Sequence, residues 1–222
     1  MSSRKAVRDG LVAVAVAGAL AFGVVGCSTG DEAPKGDDKS VAGTRLCGGT
    51  AVSAEAASSL RTITGSSRFE RSDEKSTVAY AAKSLSREFT SSFTTDGDIC
   101  QVFAIGAALS DRLEVTWELT DGRPERDLAS KYTVLRMGER ALAAVDAGSV
   151  QFTCRSEKLP GSQPAHIDIN VERWSPEEPE GDPEKLKDAY ATVAHSFALA
   201  MAKELGCEND GGLEARPVLD PV

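Results

Sequence analysis

Asp182-Pro183-Glu184-Lys185-Leu186-Lys187-Asp188-Ala189-Tyr190-Ala191-Thr192-Val193-Ala194-His195-Ser196-Phe197-Ala198-Leu199-Ala200-Met201-Ala202-Lys203-Glu204-Leu205-Gly206-Cys207 is the stretch whose reading decides the fold. Asp182 can cap a helix, Pro183 fits its first position, and Glu184 faces the positive end of the helix dipole. Leu186, Tyr190, Val193, Phe197, Met201 and Leu205 recur at spacings of four, three, four, four and four, which is one helical face. Gly206 stops the helix. At 1.5 Å per residue, residues 183–205 span about 35 Å.

Upstream of this helix the period changes from 3.6 to 2. Leu113, Val115, Trp117 and Leu119 alternate with Glu114, Thr116 and Glu118. Ile99–Ile105 reads as a strand after an Asp96-Gly97 turn. Val150–Cys154 and Ile167–Glu172 also alternate, and are expected to pair antiparallel across Pro160-Gly161 to Pro164. Tyr132–Met137 is a candidate strand, and Asp146-Ala147-Gly148 a turn. Gly138–Val145 fits a short helix or a strand equally, and the charged stretch 123–131 reads as an exposed loop.

Two helices are expected nearer the N-terminus. The first has Ser53 as cap, Ala56, Leu60 and Ile63 as its apolar face, and Gly65 as its end. After the polar stretch Ser66–Lys75, the second carries Val78, Ala82, Leu85, Phe89 and Phe93. Its end, Phe89–Thr94, also suits a strand, because Thr and Phe favour strands. The order implies an α+β fold: an antiparallel sheet with N-terminal helices and one long C-terminal helix packed on one face. Residues 44–207 are assigned to a single domain, and 208–222 to a flexible acidic tail.

The N-terminus has a different logic. Arg4, Lys5 and Arg8 precede 16 residues, Leu11–Gly26, that carry no charge. This suits a signal peptide and falls short of the roughly 20 residues that a spanning helix needs. Val24-Val25-Gly26-Cys27 resembles the bacterial lipobox. That resemblance implies removal of residues 1–26 by cleavage between Gly26 and Cys27, and a diacylglyceryl group on the Cys27 Sγ. Two acyl chains hold a protein on a membrane stably, whereas one holds it only marginally. The alternatives are a secretory signal cut near Ala19-Leu20-Ala21, with Cys27 left as a thiol, or an uncleaved membrane helix. Residues 27–43 are polar and read as a flexible tether.

Removing residues 1–26 takes away Arg4, Lys5, Arg8 and Asp9 and shifts the net charge from −9 to −11. This balance argues against nucleic acid, and against electrostatic docking on anionic lipid. With Cys27 set aside, Cys47, Cys100, Cys154 and Cys207 remain. An even count in an exported chain implies two disulfides, and three pairings are open. The wide spacings exclude a CxxC metal or redox motif, and two histidines add little to a zinc site.

The layout resembles a broad set of actinobacterial, Streptomyces-like lipoproteins of unassigned function, the DUF3558-type lipoproteins with Mog1/PsbP-like α+β folds. Their pattern is a lipobox, a polar tether, a cysteine before the first helix, a second in a central strand, and a closing amphipathic helix. Cys27, Cys47, Cys100 and Lys185–Leu205 match it, whereas Cys207 departs from it. The resemblance implies pairing of Cys47 with Cys100, leaving Cys154 for Cys207.

No nucleophile elbow, HExxH, P-loop or GxGxxG occurs, so no catalytic residue, metal site or cofactor is assigned. His166 and His195 read as exposed or boundary residues, the latter lying off the apolar stripe. Nothing selects two of the many carboxylates for glycoside hydrolysis. Glu177–Asp182 lacks the spaced pattern of a calcium loop, and Asp182 is better used as a cap. Trp117 is expected in the core. Trp174, beside a Pro-broken connector, is the candidate contact surface.

The function expected is that of a non-catalytic, lipid-anchored envelope protein on the extracytoplasmic face, binding a protein or small ligand. The alternatives are a small extracytoplasmic hydrolase and a lipid carrier or transport accessory. A deep apolar cavity under the last helix would favour the carrier, and a histidine or carboxylate cleft the enzyme. A half-open sheet face rimmed by Trp174 would favour partner binding.

Overall fold

A computed structural model of the chain describes residues 40–90, 95–122 and 129–222. Residues 1–39, on which the expected signal peptide, its Gly26–Cys27 cleavage site and most of the tether fall, lie outside the described residues, as do 91–94 and 123–128.

The described chain begins with strand β1 (Ser40–Ala42), which pairs antiparallel with β2 (Arg68–Glu70), Val41 standing opposite Phe69. Residues 40–43 therefore belong to the fold and correct the tether boundary. Val41 and Phe69 are both buried, so the segment has apolar surface to hide that its polar neighbours masked. Helix α1 (Ala54–Thr64) follows, with the Ser53 side chain accepting the Ala56 N–H and Gly65 closing the helix at φ +70°. Helix α2 (Val78–Glu88) is capped by Thr77. Phe89 packs half-buried on the core just beyond it.

Six strands form one antiparallel sheet: β3 (Asp96–Val102), β4 (Arg112–Thr120), β5 (Thr133–Leu135), β6 (Arg140–Ala143), β7 (Ala147–Cys154) and β8 (Ala165–Trp174), in the order β3-β4-β8-β7-β6-β5. The β7–β8 pair spans the expected loop, with Val150 opposite Ile169. The ambiguous stretch 138–145 supplies strand β6, because Ala141 and Ala143 are needed on the buried face.

Two expected turns are shorter than their residue types suggest. Asp96-Gly97 opens β3, where Gly97 lies across from Trp117; a Cβ there would stand 2.8 Å from three indole atoms. The glycine makes room for a ring rather than bending the chain. Ala147 and Gly148 likewise open β7, the turn being closed by the Ala144 N–H on the Ala147 carbonyl. A Cβ on Gly148 would stand 2.8 Å from the Tyr190 carbonyl carbon and oxygen, so the absent side chain sets how closely the last helix approaches the sheet.

That helix, α3 (Pro183–Leu205), packs against β6, β7 and β8 and against α1 and α2. Every residue from Ala189 to Ala198 is buried. A helix covered on all sides needs more than one apolar stripe, and its alanines supply the remainder. The fold is α+β, with the three helices and an antiparallel sheet in the arrangement expected.

Residues 208–222 are not a loose tail, which corrects that assignment. Glu208–Gly212 forms a 3-10 turn, and Gly211 and Leu213 are buried. Pro221 bridges Leu135, the Arg136 N–H donates to the Asp220 carbonyl, and the Val222 N–H donates to the Val134 carbonyl. The segment thus covers the free edge of β5. Leu213, Val218 and Leu219 pack on the core, and this apolar content outweighs the acidic residues among them.

Two disulfides close the domain. Cys47 pairs with Cys100, Cα atoms 5.7 Å apart, joining the loop after β1 to β3. Cys154 pairs with Cys207, Cα atoms 4.9 Å apart, joining the end of β7 to the end of α3.

Candidate functional site

The helix-free face of the sheet presents the first candidate. At its rim Trp174, at the end of β8, is 51% exposed. The Arg112 guanidinium lies 5.6 Å from the centre of its ring, within cation–π range. Arg112 Nε and Nη2 donate to Glu114 Oε1 at 2.9 and 2.6 Å, and Nη1 donates to the Leu109 carbonyl at 3.4 Å. Leu109 is 78% exposed, and its carbonyl ties the loop before β4 to the Trp174–Arg112 pair. Trp117 lies in the core, as expected.

Deeper on this face, Glu118, Asp168, Gln151 and Arg140 stand in one row across β4, β8, β7 and β6. Gln151 and Asp168 are buried although they point away from the helices. Gln151 Nε2 donates to Thr120 Oγ1 at 2.9 Å. Among the described residues, Gln151 Oε1, Asp168 Oδ1 and Arg140 Nε have no hydrogen-bond partner. Burial pushes the Asp168 carboxyl up to about 6, against the opposing pull of the Arg140 charge. That value lies in the range of a general acid, yet none of the recesses described below opens on Asp168. His166 Nδ1 pairs with Glu139 Oε2 at 2.7 Å near the same end of the sheet.

His195 corrects its expected exposure, for it is only 3% exposed. Its Nε2 donates to the Glu214 carbonyl at 3.0 Å, and burial pushes its pKa down, leaving a neutral ring. The ring borders a recess of about 210 Å³ with Arg136, Gly138 and Leu213, closed over by the C-terminal segment. Its neighbour Ser196 donates to the Ala51 carbonyl at 2.8 Å and accepts the Ser53 N–H at 2.9 Å, locking α3 to the start of α1. Both residues hold the fold. Asp182 is likewise occupied in capping, its Oδ1 accepting the N–H groups of Glu184 and Lys185.

Two grooves flank the Cys47–Cys100 bridge. The larger, about 630 Å³, runs between the Asp73–Ser76 turn with Tyr80 on one side and Asp98–Gln101 of edge strand β3 on the other. Asp73, Glu74 and Asp98 make it acidic. Asp73 Oδ1 accepts the N–H groups of Lys75 and Ser76 at 2.8 and 2.9 Å, bonds that hold its carboxyl below the ordinary carboxylate range. Tyr80 is 42% exposed at the mouth. The smaller groove, about 370 Å³, is lined by Arg45, Arg68 and Arg71. In sequence the stretch 66–75 is merely polar and mixed in charge. The separation of its acids from its arginines appears only when the chain folds around the disulfide.

Among the described residues, no three His, Cys, Asp or Glu side chains converge on a metal position. No described helix is long and apolar enough to cross a membrane. Comparison with family models, curated proteins and solved structures returned no match.

Proposed function

We propose that the chain is a lipid-anchored cell-envelope protein, held on the extracytoplasmic face through Cys27, that binds a partner outside the membrane. The observation that carries this reading is the pair of disulfides, which places all four remaining cysteines in bridges. Such bonds persist in exported proteins and are reduced in the cytosol. The lipobox-like Val24–Cys27 supplies the anchor in this reading. The Trp174–Arg112 pair supplies the contact surface in this reading, since aromatic and Arg side chains dominate binding hot spots.

The test is Cys27→Ala, together with labelled palmitate fed to whole cells. The variant should lose the label and either leave the membrane fraction or remain unprocessed. Retained label, or unchanged membrane association of a normally processed variant, overturns the anchor. A photocrosslinker at position 174 should give an adduct in intact envelopes that the same probe at Arg155 does not; equal adducts at both positions overturn the contact surface.

A second reading, a small cationic ligand, is favoured by one observation. The 630 Å³ groove combines three carboxylates with an exposed Tyr80 and lies in the usual size range of ligand sites.

A further inference from the structure

The larger groove beside the Cys47–Cys100 bridge is a gap in the edge of the sheet. Just beyond β3, strand β2 takes the place next to the chain. Phe69 bridges Ala104, the Glu70 N–H donates to the Phe103 carbonyl at 2.9 Å, and the Ile105 N–H donates to the Arg68 carbonyl at 3.1 Å. On that register Ser72 would come opposite Gln101. The chain turns away instead. Ser72 Oγ accepts the Cys47 N–H at 3.1 Å and lies 3.5 Å from Cys100 Sγ, so residues 72–76 are held off the strand beside the disulfide. A space of about 630 Å³ opens between Asp73–Ser76 with Tyr80 on one side and Asp98–Gln101 on the other. Both walls lie among the described residues.

The β3 wall offers unpaired backbone. Successive residues of an antiparallel strand turn their N–H and C=O groups to alternate sides. Phe103 and Ile105 turn theirs to β2, so Gln101 turns its own to the groove. Among the described residues, no backbone group bonds Gln101 on that side. The opposite edge of the sheet, β5, is covered by Asp220–Val222. An open edge is a template for pairing with another chain. Charge decides which chain. Asp73, Glu74 and Asp98 stand against one cation, Lys75. The two backbone bonds on Asp73 Oδ1 keep its carboxylate ionised. These acids repel a second copy of this chain, whose net charge is −9, and attract a basic segment. Tyr80, exposed at the mouth, presents its ring to a cationic side chain. The outer wall is built before binding, because its turn is closed by Asp73 and runs into α2, where Thr77 Oγ1 accepts the Tyr80 N–H at 3.1 Å.

We propose that the groove along Asp98–Gln101 binds an extended, lysine- or arginine-bearing segment of a partner protein, which adds to the edge of β3 as a short strand. Backbone bonds to Gln101 hold the segment, and the carboxylates of Asp73, Glu74 and Asp98 select its cationic side chains. The proposal rests on the cationic-ligand reading of this groove and names the ligand as a peptide strand.

The experiment uses the isotope-labelled full chain in detergent micelles and a capped peptide, Lys-Val-Lys-Val-Lys-Val. The comparison probes are its glutamate analogue, two versions N-methylated on the backbone at the lysines or at the valines, and spermidine. NMR amide shifts report binding, and hydrogen exchange reports the Gln101 N–H. The peptide should bind and slow exchange at Gln101 by at least about tenfold at saturation. One N-methylated version should bind about tenfold more weakly than the other, since only one side of an added strand faces β3. Glu74→Gln with Asp98→Asn should weaken the peptide by about tenfold while amide shifts away from the groove stay in place, and the glutamate analogue should not bind. Binding with unchanged exchange at Gln101, or equal binding of the two N-methylated versions, overturns the added strand. Equal binding of the glutamate analogue overturns the role of the acids. Spermidine shifting the Asp73 and Asp98 amides where the peptide does not overturns the strand and leaves the cationic-ligand reading standing, whereas no shift with either probe overturns both.

Discussion

His195 Nε2 lies 3.0 Å from the Glu214 carbonyl oxygen, so the middle of α3 is tied to a segment that follows it by a sharp reversal at Gly206. Ending the chain at Gly212 removes this acceptor and the buried Leu213. The His195 ring should then gain water and its pKa should rise toward the ordinary 6.5. Stability should fall by roughly 4–8 kcal/mol, because the truncation removes Leu213, Val218 and Leu219 from the core together with the hydrogen bonds of Glu214, Asp220 and Val222. An NMR titration of the two histidines checks the first expectation, and urea unfolding the second. An unmoved His195 titration would show that the segment does not cover the ring.

Asp168 and His195 should give opposite responses to acid. The Asp168 carboxyl is raised to about 6 in the fold, so its penalty is complete above pH 6 and is relieved as pH falls toward the ordinary 3.8. His195 is lowered by burial, so its contribution is complete above 6.5 and is lost as pH falls. Asp168→Asn should therefore stabilise the protein at pH 7 by about 2–3 kcal/mol and leave it more sensitive to acid between pH 6.5 and 4.5. Urea midpoints across that range decide the matter. A variant with the wild-type pH slope would mean that Asp168 is solvated.

Gly148→Ala drives a methyl group onto the α3 backbone, which cannot move aside without shifting the helix. The expected cost is about 1–3 kcal/mol, with a comparable figure for Gly97→Ala against the Trp117 ring. Gly161→Ala is the control, because its Cβ would meet its nearest neighbour at an ordinary 3.5 Å. Chemical denaturation should place Gly161→Ala within about 0.5 kcal/mol of wild type.

Replacing Cys154 and Cys207 together by Ala removes a link closing a 53-residue separation. A loss of roughly 2–4 kcal/mol is expected, since the unfolded chain regains loop entropy. Hydrogen exchange should increase first around residues 205–213, where the bridge holds the end of α3 to β7. Uniform protection there would show that packing alone suffices.

The two tryptophans should separate stability from surface chemistry. Trp117→Ala empties the core beside Gly97 and should cost about 3–5 kcal/mol. Trp174→Ala should change the unfolding midpoint by no more than about 0.5 kcal/mol, because its ring is half in solvent. A large destabilisation by Trp174→Ala would make the rim a structural element.

The long helix, α1 with its Ser53 cap, and strands β4, β7 and β8 were legible because their periodicity records which side faces the core. The disulfide content was legible from cysteine parity. The grooves were not, because each draws on segments about 20 to 30 residues apart that only the fold brings together. Gln151 and Asp168 looked like solvent-facing strand residues, since a period-2 pattern distinguishes the two faces of a sheet but not what lies over them.

The sequence by itself determined the fold class, the helix caps and the parity of the cysteines, since each depends on residues close together in the chain. Tertiary structure decided the rest. Glycines 97 and 148 became points of close packing, the acidic C-terminus became the cover of β5 and His195, and a mixed-charge stretch divided into an acidic and a basic groove. The physical reason is the same in each case. Spacing along a chain fixes local hydrogen bonding and facing, whereas burial and charge clustering depend on which distant segment arrives opposite.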